Sequence, residues 1–406
     1  MLQLTGDASC IGCLLATGTP MRNGRPCNLY PLLVGIRHPV ARKKIEYDKT
    51  YCAARKTKFV AWDTSGASNL PQLRAAIGPS LMRKTKEECL DIPLLTRRTV
   101  HVDVAAGAMA EYDALLDEMR REVKQQHAAP GGGKKGGGSA LELMSRLRVF
   151  TSKAKVTGAA AVVRAELQRC PDPVVVFVWF KETVAMLLEA LAAPGTDGPL
   201  RCVSLTGDVV RHEVRTAVVD RFQGGELDVL VCTYGVGAVG LTLTRSHTVV
   251  LLDRPWTPGD ASQAEDRVRR IGQRSDQVDS IWIEAFSLDQ KLDAMLASKA
   301  SNTAKVLVAP APAPAQAPAA AVNAKRHAAA PTKTIKDFFS GTGTSASAAS
   351  GCITVAPPPA IAISGEGGQG ARRLSPASDL FGDAEMEVET DSVASLVFKQ
   401  LLCGKN

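Results

Sequence analysis

A chain of 406 residues, 45% of them apolar, has enough hydrophobic material for a buried core and room for two domains and a tail. It contains no run of eighteen apolar residues and no basic lead before the short apolar stretch near the N-terminus, so neither a membrane span nor a secretory signal is expected. The formal charge is +8; past residue 300 there are nine Lys plus Arg against eight Asp plus Glu, which leaves +7 on residues 1–300, a balance that suits a polyanionic partner.

Ten cysteines are scattered without the paired spacing of a zinc module. Cys10 and Cys13 form one CxxC with no second pair, so both read as small buried residues and no metal ligands are expected.

Residues 13–16 read as a buried strand ended by the tight turn Thr17-Gly18-Thr19-Pro20, and a helix is expected from about residue 28. Residues 81–104, LMRKTKEECLDIPLLTRRTVHVDV, with Arg83, Lys84 and Lys86, resemble the stretch of Snf2-type ATPases in which a basic helix precedes an alternating strand. Residues 111–123 read as an amphipathic helix burying Tyr112, Leu115, Leu116 and Met119. That helix closes a first unit, 1–125. Residues 126–140 contain GGGKKGGGS, which has too little side chain to offset its ordering entropy and is expected to be a flexible insertion.

From 141 to 300 buried strands alternate with helices, the pattern of an α/β domain with a mainly parallel sheet. Strands are expected over 174–179, 202–205, 229–232, 248–252 and 278–285, with helices beginning near Lys153, Lys181, Arg211, Gly237, Gly259 and Ser287. In such a sheet ligands gather at the carboxyl ends of the strands. Past residue 300, APAPAQAPAAAVNAK and later TVAPPPAIAISGEGGQG indicate an extended tail over 301–406.

The most informative stretch is 253–273, DRPWTPGDASQAEDRVRRIGQ. On a continuous helix its Gln263, Arg267 and Arg270, at i, i+4 and i+7, would leave from one face. Arginine suits a transferring phosphoryl group because it stays protonated and its planar fork donates to two oxygens at once.

The pattern D-x-x-W-x-P-x-x-D-x-Q-A-x-x-R-x-x-R-I-G-Q, met by Asp253, Trp256, Pro258, Asp260, Gln263, Ala264, Arg267, Arg270, Ile271, Gly272 and Gln273, resembles the last helicase motif of Snf2-type DNA-dependent ATPases of superfamily 2, in feel nearest the annealing-helicase branch. Thr257 stands where that family usually has Asn. LLATGTPMRN with NLYPLL resembles the family motif that links the nucleotide site to the DNA track. VVVFVWFKETVAMLLEAL resembles the opening motif of the second lobe, and SLTGDV and VLVCTYGVGAVGLTLT follow in family order.

The resemblance implies a RecA-like C-terminal lobe over 141–300, preceded by the C-terminal part of a first lobe. It implies an ATP-dependent motor on duplex or forked DNA, located in the nucleus, with ATP and Mg2+ as cofactors. Arg267 and Arg270 would be catalytic, with Gln263 orienting them. Thr17, Gly18, Thr19, Gly237, Gly240, Asp253, Trp256 and Asp260 would bind nucleotide or couple it to DNA; Lys181, Thr206, Gly207 and Thr233 would meet DNA. The tail segment 332–339, TKTIKDFF, resembles the sliding-clamp (PCNA) binding box, with Ile335, Phe338 and Phe339 as its apolar face and Thr332 where that box prefers Gln.

No GxxxxGK[ST] occurs, and no Asp-Glu pair ends a strand before Thr17. Magnesium-nucleotide chemistry in this family needs both. The chain is therefore expected to correspond to the C-terminal half of a motor and not to hydrolyse ATP by itself. A rival from another class is a non-catalytic DNA- and clamp-binding protein; an RNA helicase of the same superfamily is a third reading.

Overall fold

The structure, a computed structural model, describes residues 12–56, 62–128, 136–194, 198–209, 211–237 and 240–308; for 123–128, 136–141 and 237 it describes the backbone alone. Cys10, residues 129–135 of the glycine-lysine insertion, and the tail from residue 309, with Ile335, Phe338 and Phe339, lie outside the described residues; the expected insertion and tail are too wide, since 126–128, 136–140 and 301–307 belong to helices.

In chain order the helices are α1 (Pro26–Gly35), α2 (Lys44–Tyr51), α3 (Leu70–Ile77), α4 (Lys86–Cys89), α5 (Ala108–Ala128), α6 (Gly136–Ala154), α7 (Val156–Arg169), α8 (Lys181–Ala192), α9 (His212–Gly224), α10 (Tyr234–Gly237), α11 (Pro258–Glu265) and α12 (Ser287–Leu307). The strands are β1 (Leu94–His101), β2 (Val174–Val178), β3 (Cys202–Leu205), β4 (Val229–Thr233), β5 (Thr248–Leu251) and β6 (Gln277–Glu284). They form one all-parallel sheet in the order β1-β6-β5-β2-β4-β3. None of the described helices is long and apolar enough to cross a membrane.

Strand periodicity sorts the core into two layers. On β2, Val174, Val176 and Val178 face one layer with Leu147, Val163, Leu187 and Leu292 from α6, α7, α8 and α12; Val175 and Phe177 face the other with Phe222 of α9 and Ala261 and Ala264 of α11. Every residue of β2, β4 and β5 is buried, as a parallel sheet covered on both faces requires.

Two expectations change here. The boundary placed at residue 125 does not separate packed units: β1 runs in register with β6 from Leu94↔Gln277 to His101↔Glu284, and Tyr112, Leu116 and Met119 of α5 join the core that β2 and β6 line. Residues 21–81 bury a hydrophobic cluster of their own around Leu29, Tyr47, Leu73 and Ile77 within the same compact unit. The expected strand at 13–16 is absent and Leu14 is 92% exposed. No described strand lies beside it, and an extended segment without a ladder partner gains no sheet hydrogen bonds.

The N-terminal cluster docks on the far end of α12. Val306 and Leu307 complete it, and Thr303 Oγ1 donates to the carbonyl of Met21. Gly24 makes the closest approach: its φ is +66°, and a Cβ there would lie 2.4 Å from the Lys299 carbonyl oxygen. Gly24→Ala is therefore expected to cost more than about 1 kcal/mol and to loosen residues 12–80 from α12. Hydrogen exchange checks this as faster exchange of the amides of Val306 and Leu307, while β2 and β4 keep their protection.

Candidate nucleotide and DNA site

The residues that the sequence singles out gather at the carboxyl edge of the sheet. Asp253 follows β5 and is 4% exposed; its Oδ2 accepts from the Trp179 amide just past β2 at 2.8 Å and from Ser152 Oγ at 2.9 Å. Past β4, the Tyr234 hydroxyl donates to the Asp253 carbonyl at 2.8 Å. One short loop thus ties together the exits of three adjacent strands.

The loop is braced from beneath by residues that carry no motif. Arg148 donates to the Arg254 carbonyl at 2.6 Å, and its guanidinium lies 4.1 Å from the Trp256 ring centre and 5.2 Å from that of Trp179. Burial pushes its pKa down to about 10, against the pull of Asp253. Lys155 donates to the Leu252 carbonyl and to Asp289, both at 2.8–2.9 Å, and the pair is almost wholly buried. Arg254 makes a forked pair with Asp293, and Lys299 donates to the Trp256 carbonyl. Arg148 and Ser152 lie on the same buried side of α6 as Met144 and Leu147, and Lys155, at the junction with α7, keeps the helical spacing i, i+4, i+7. That polar stripe is the signal in the sequence that could have revealed them.

Thr257 caps α11, accepting from the Asp260 amide, and its hydroxyl donates to Asp260 Oδ2 at 2.7 Å. Asp260 Oδ1 accepts from Arg22 at 2.9 Å. A Cβ at Gly259 would lie 3.3 Å from Thr19 Cγ2, so the TGTP turn sits on the first turn of α11. Within that turn Thr17 Oγ1 accepts from the Thr19 amide, and Thr17 and Gly18 are exposed. The residues expected to carry the link between nucleotide and DNA therefore touch the start of the arginine-bearing segment.

The single helix face expected for Gln263, Arg267 and Arg270 is not formed. α11 ends at Glu265, and the chain tightens: Arg267 and Val268 bond three residues back, to Ala264 and Glu265, while the Arg267 carbonyl accepts from Leu243 at 2.9 Å. Glu265 fixes this end, 1% exposed, taking two bonds from Arg97 on β1 at 2.8 and 2.6 Å and one from Ser280 on β6.

The two arginines still come together, though by a different route. Arg270 donates to the Gly240 carbonyl at 3.1 Å and to Thr242 Oγ1 at 3.2 Å, which fastens it to the glycine-rich loop. Arg267 is 6% exposed and its Nε has no hydrogen-bond partner. Burial, then the neighbouring charge of Arg270, holds its pKa below the ordinary arginine value. Asp266 offsets this only in part, and the unbonded Nε beside a second cation is a donor that a bound phosphate would satisfy. Gln263 is half-buried on the last turn of α11. Gly237 ends the short helix α10.

Lys181 starts α8 and Thr206-Gly207-Asp208 follows β3. Asp208 accepts from Lys181 at 2.5 Å and from Thr206 Oγ1 at 3.4 Å, so two of the expected DNA contacts meet around one exposed carboxylate, beside Gly207 in the chain. Thr233 closes β4, the strand between β2 and β3, and is 8% exposed. Lys86 is held by Asp266 at 2.5 Å; Arg83 and Lys84 are exposed.

Part of the chain is similar to the C-terminal domain of helicases. Residues 158–272, from the first turn of α7 through the arginine-bearing segment, match the helicase conserved C-terminal domain. Over 299 residues, 72% of this chain, the sequence is 30% identical to the DNA annealing helicase and endonuclease ZRANB3 of Mus musculus. Over 267 residues, 64% of the chain, it is 28% identical to the SWI/SNF-related matrix-associated actin-dependent regulator of chromatin subfamily A-like protein 1 of Xenopus tropicalis. The chain is thus homologous to the annealing helicases of the Snf2 family. It spans about a quarter of the length of these relatives, 27% and 26%. Among solved structures, the Sulfolobus solfataricus SWI2/SNF2 ATPase core in complex with dsDNA aligns over 68% of this chain and 58% of that one, with a TM-score of 0.42 and 19% identity.

Proposed function

We propose that this chain forms the half of an ATP-dependent DNA motor that closes over the nucleotide and moves on duplex DNA. The observation that carries the reading is Arg267: a buried guanidinium whose Nε has no hydrogen-bond partner, beside Arg270, where the glycine-rich loop meets the segment after α11. In the closed motor, Arg267 and Arg270 stabilise charge on the transferring phosphate of ATP, with Gln263 setting their approach. The phosphate loop and the Mg2+ ligands come from another lobe. Asp253 and Trp256 hold the coupling loop, and contact of Thr19 and Arg22 with Gly259 and Asp260 passes closure to the DNA side. Lys181, Thr206, Gly207 and Thr233 form the DNA track at the ends of β2, β3 and β4. The segment 332–339 is a clamp-binding peptide in the same proposal, to be checked by its affinity for a PCNA-type clamp.

Joining this chain to a lobe that carries the phosphate loop, taken from a Snf2-type relative, and measuring ATP hydrolysis tests the reading. Stimulation by duplex DNA and little by RNA is expected. A joined protein that binds DNA yet hydrolyses nothing would favour the DNA- and clamp-binding reading; stimulation by RNA alone would favour an RNA helicase.

A further inference from the structure

At the opposite, amino-terminal edge of the sheet, three side chains of metal-ligand type converge. Cys170 ends α7, Asp172 leads into β2 and His247 leads into β5. β2 and β5 are neighbours with Val174 opposite Thr248, so the topology sets Asp172 and His247 side by side. Pro171 and Pro173 flank Asp172 and fix the backbone on both sides of it. The His247 carbonyl is held by the Asp279 amide at 2.8 Å, which anchors the histidine from β6.

One ligand atom from each of Cys170, Asp172 and His247 lies within 4.8 Å of the other two. His247 Nδ1 is 3.2 Å from Asp172 Oδ2; tetrahedral zinc with bonds of about 2.0–2.3 Å places its ligand atoms about 3.3–3.8 Å apart. His247 Nδ1 is nonetheless buried without a hydrogen-bond partner, because its approach to the carboxylate is out of line for one. An orphaned buried nitrogen facing a carboxylate and a thiol is a group that a metal ion would satisfy. A cavity of about 270 Å³, also lined by Thr244, Arg245 and Arg274, adjoins the cluster at Asp172.

We propose that Cys170, Asp172 and His247 bind one Zn2+ ion. The mixed sulfur, nitrogen and oxygen set favours this borderline cation over Mg2+ or Ca2+, which take oxygen. The ion fastens the turn before β2 to the turn before β5, a structural role separate from the phosphate chemistry proposed above.

Cobalt substitution tests the site on the full chain, in a Cys10→Ser, Cys13→Ser background that removes the other cysteine pair. Co2+ is expected to give a thiolate-to-metal charge-transfer band with tetrahedral d–d bands, Zn2+ to displace it, and Zn2+ to raise Tm by several degrees. Cys170→Ser should remove the charge-transfer band, and Asp172→Asn and His247→Gln should each weaken Co2+ binding by about tenfold or more. Absence of the band in the background protein would overturn the proposal, as would a band that survives Cys170→Ser or affinities unchanged in both Asp172→Asn and His247→Gln. Should Cys170→Ser fail to fold, the other two variants decide.

Discussion

Arg267→Ala, in a motor completed by a phosphate-loop lobe, is expected to lower DNA-stimulated ATP hydrolysis by about 10³-fold or more, the range in which arginine fingers act. Affinity for duplex DNA should change little, because Lys181, Thr206 and Thr233 lie on other strand ends. Arg267→Lys should fail almost as completely, since an ammonium lacks the planar fork. Arg270 differs in kind: its guanidinium already bonds Gly240 and Thr242, so Arg270→Ala is expected both to slow turnover and to loosen the glycine-rich loop. Turnover under saturating nucleotide and DNA, set against DNA affinity, separates the two arginines. Hydrolysis by Arg267→Ala within tenfold of the parent would remove Arg267 from the catalytic role.

The largest effect on stability is expected at Asp289. Its side chain is buried, pairs with the buried ammonium of Lys155, and accepts from the amides of Ala285 and Phe286. Asp289→Ala leaves that ammonium with only the Leu252 carbonyl and frees two amides, a change that should cost about 3–5 kcal/mol. Urea denaturation followed by circular dichroism checks it. Burial alone would raise the Asp289 carboxyl, but Lys155 and Arg254 outweigh it and hold the carboxyl below the ordinary carboxylate range. A depressed folded pKa gives stability that is fully present above the unfolded value, about 3.9, and is lost as pH falls through the folded value. The parent should thus lose this contribution below about pH 4, whereas Asp289→Asn, which cannot titrate, should show a flatter acid limb.

Much of the lobe is legible in the sequence because its strands are short, fully buried runs rich in valine, and the expected segments over 174–179, 202–205 and 229–232 match β2, β3 and β4 to within a residue. β1 shows what periodicity leaves out. Alternation in 94–101 identifies a strand, yet nothing local reveals that its ladder partner, β6, begins at Gln277, so the sheet it joins is invisible until the chain is folded. Arg97 and Arg98 gave no sign of their partners for the same reason: Glu265 and Glu166 lie on helices far along the chain.

Helix length failed in a different way. The spacing of Gln263, Arg267 and Arg270 is helical, but Leu243 recruits the Arg267 carbonyl and Glu265 is locked to β1 and β6, so tertiary hydrogen bonds end the helix early. The motif residues were legible as a set, and their bracing by Arg148, Ser152 and Lys155 was not. Polar residues inside an apolar helical face read as ordinary surface until Asp253, Arg254 and Asp289 supply their partners.

Arg267→Met in the chain as it stands gives the most direct measurement of whether Arg267 is a cation held ready for phosphate. In anion-free buffer the methionine removes, at similar volume, a largely buried charge that Arg270 repels, so the urea midpoint should rise, by about 1 kcal/mol or more in stability. Added pyrophosphate should then stabilise the parent and leave the variant unchanged. A lower midpoint for Arg267→Met, with an undiminished response to pyrophosphate, would contradict the account.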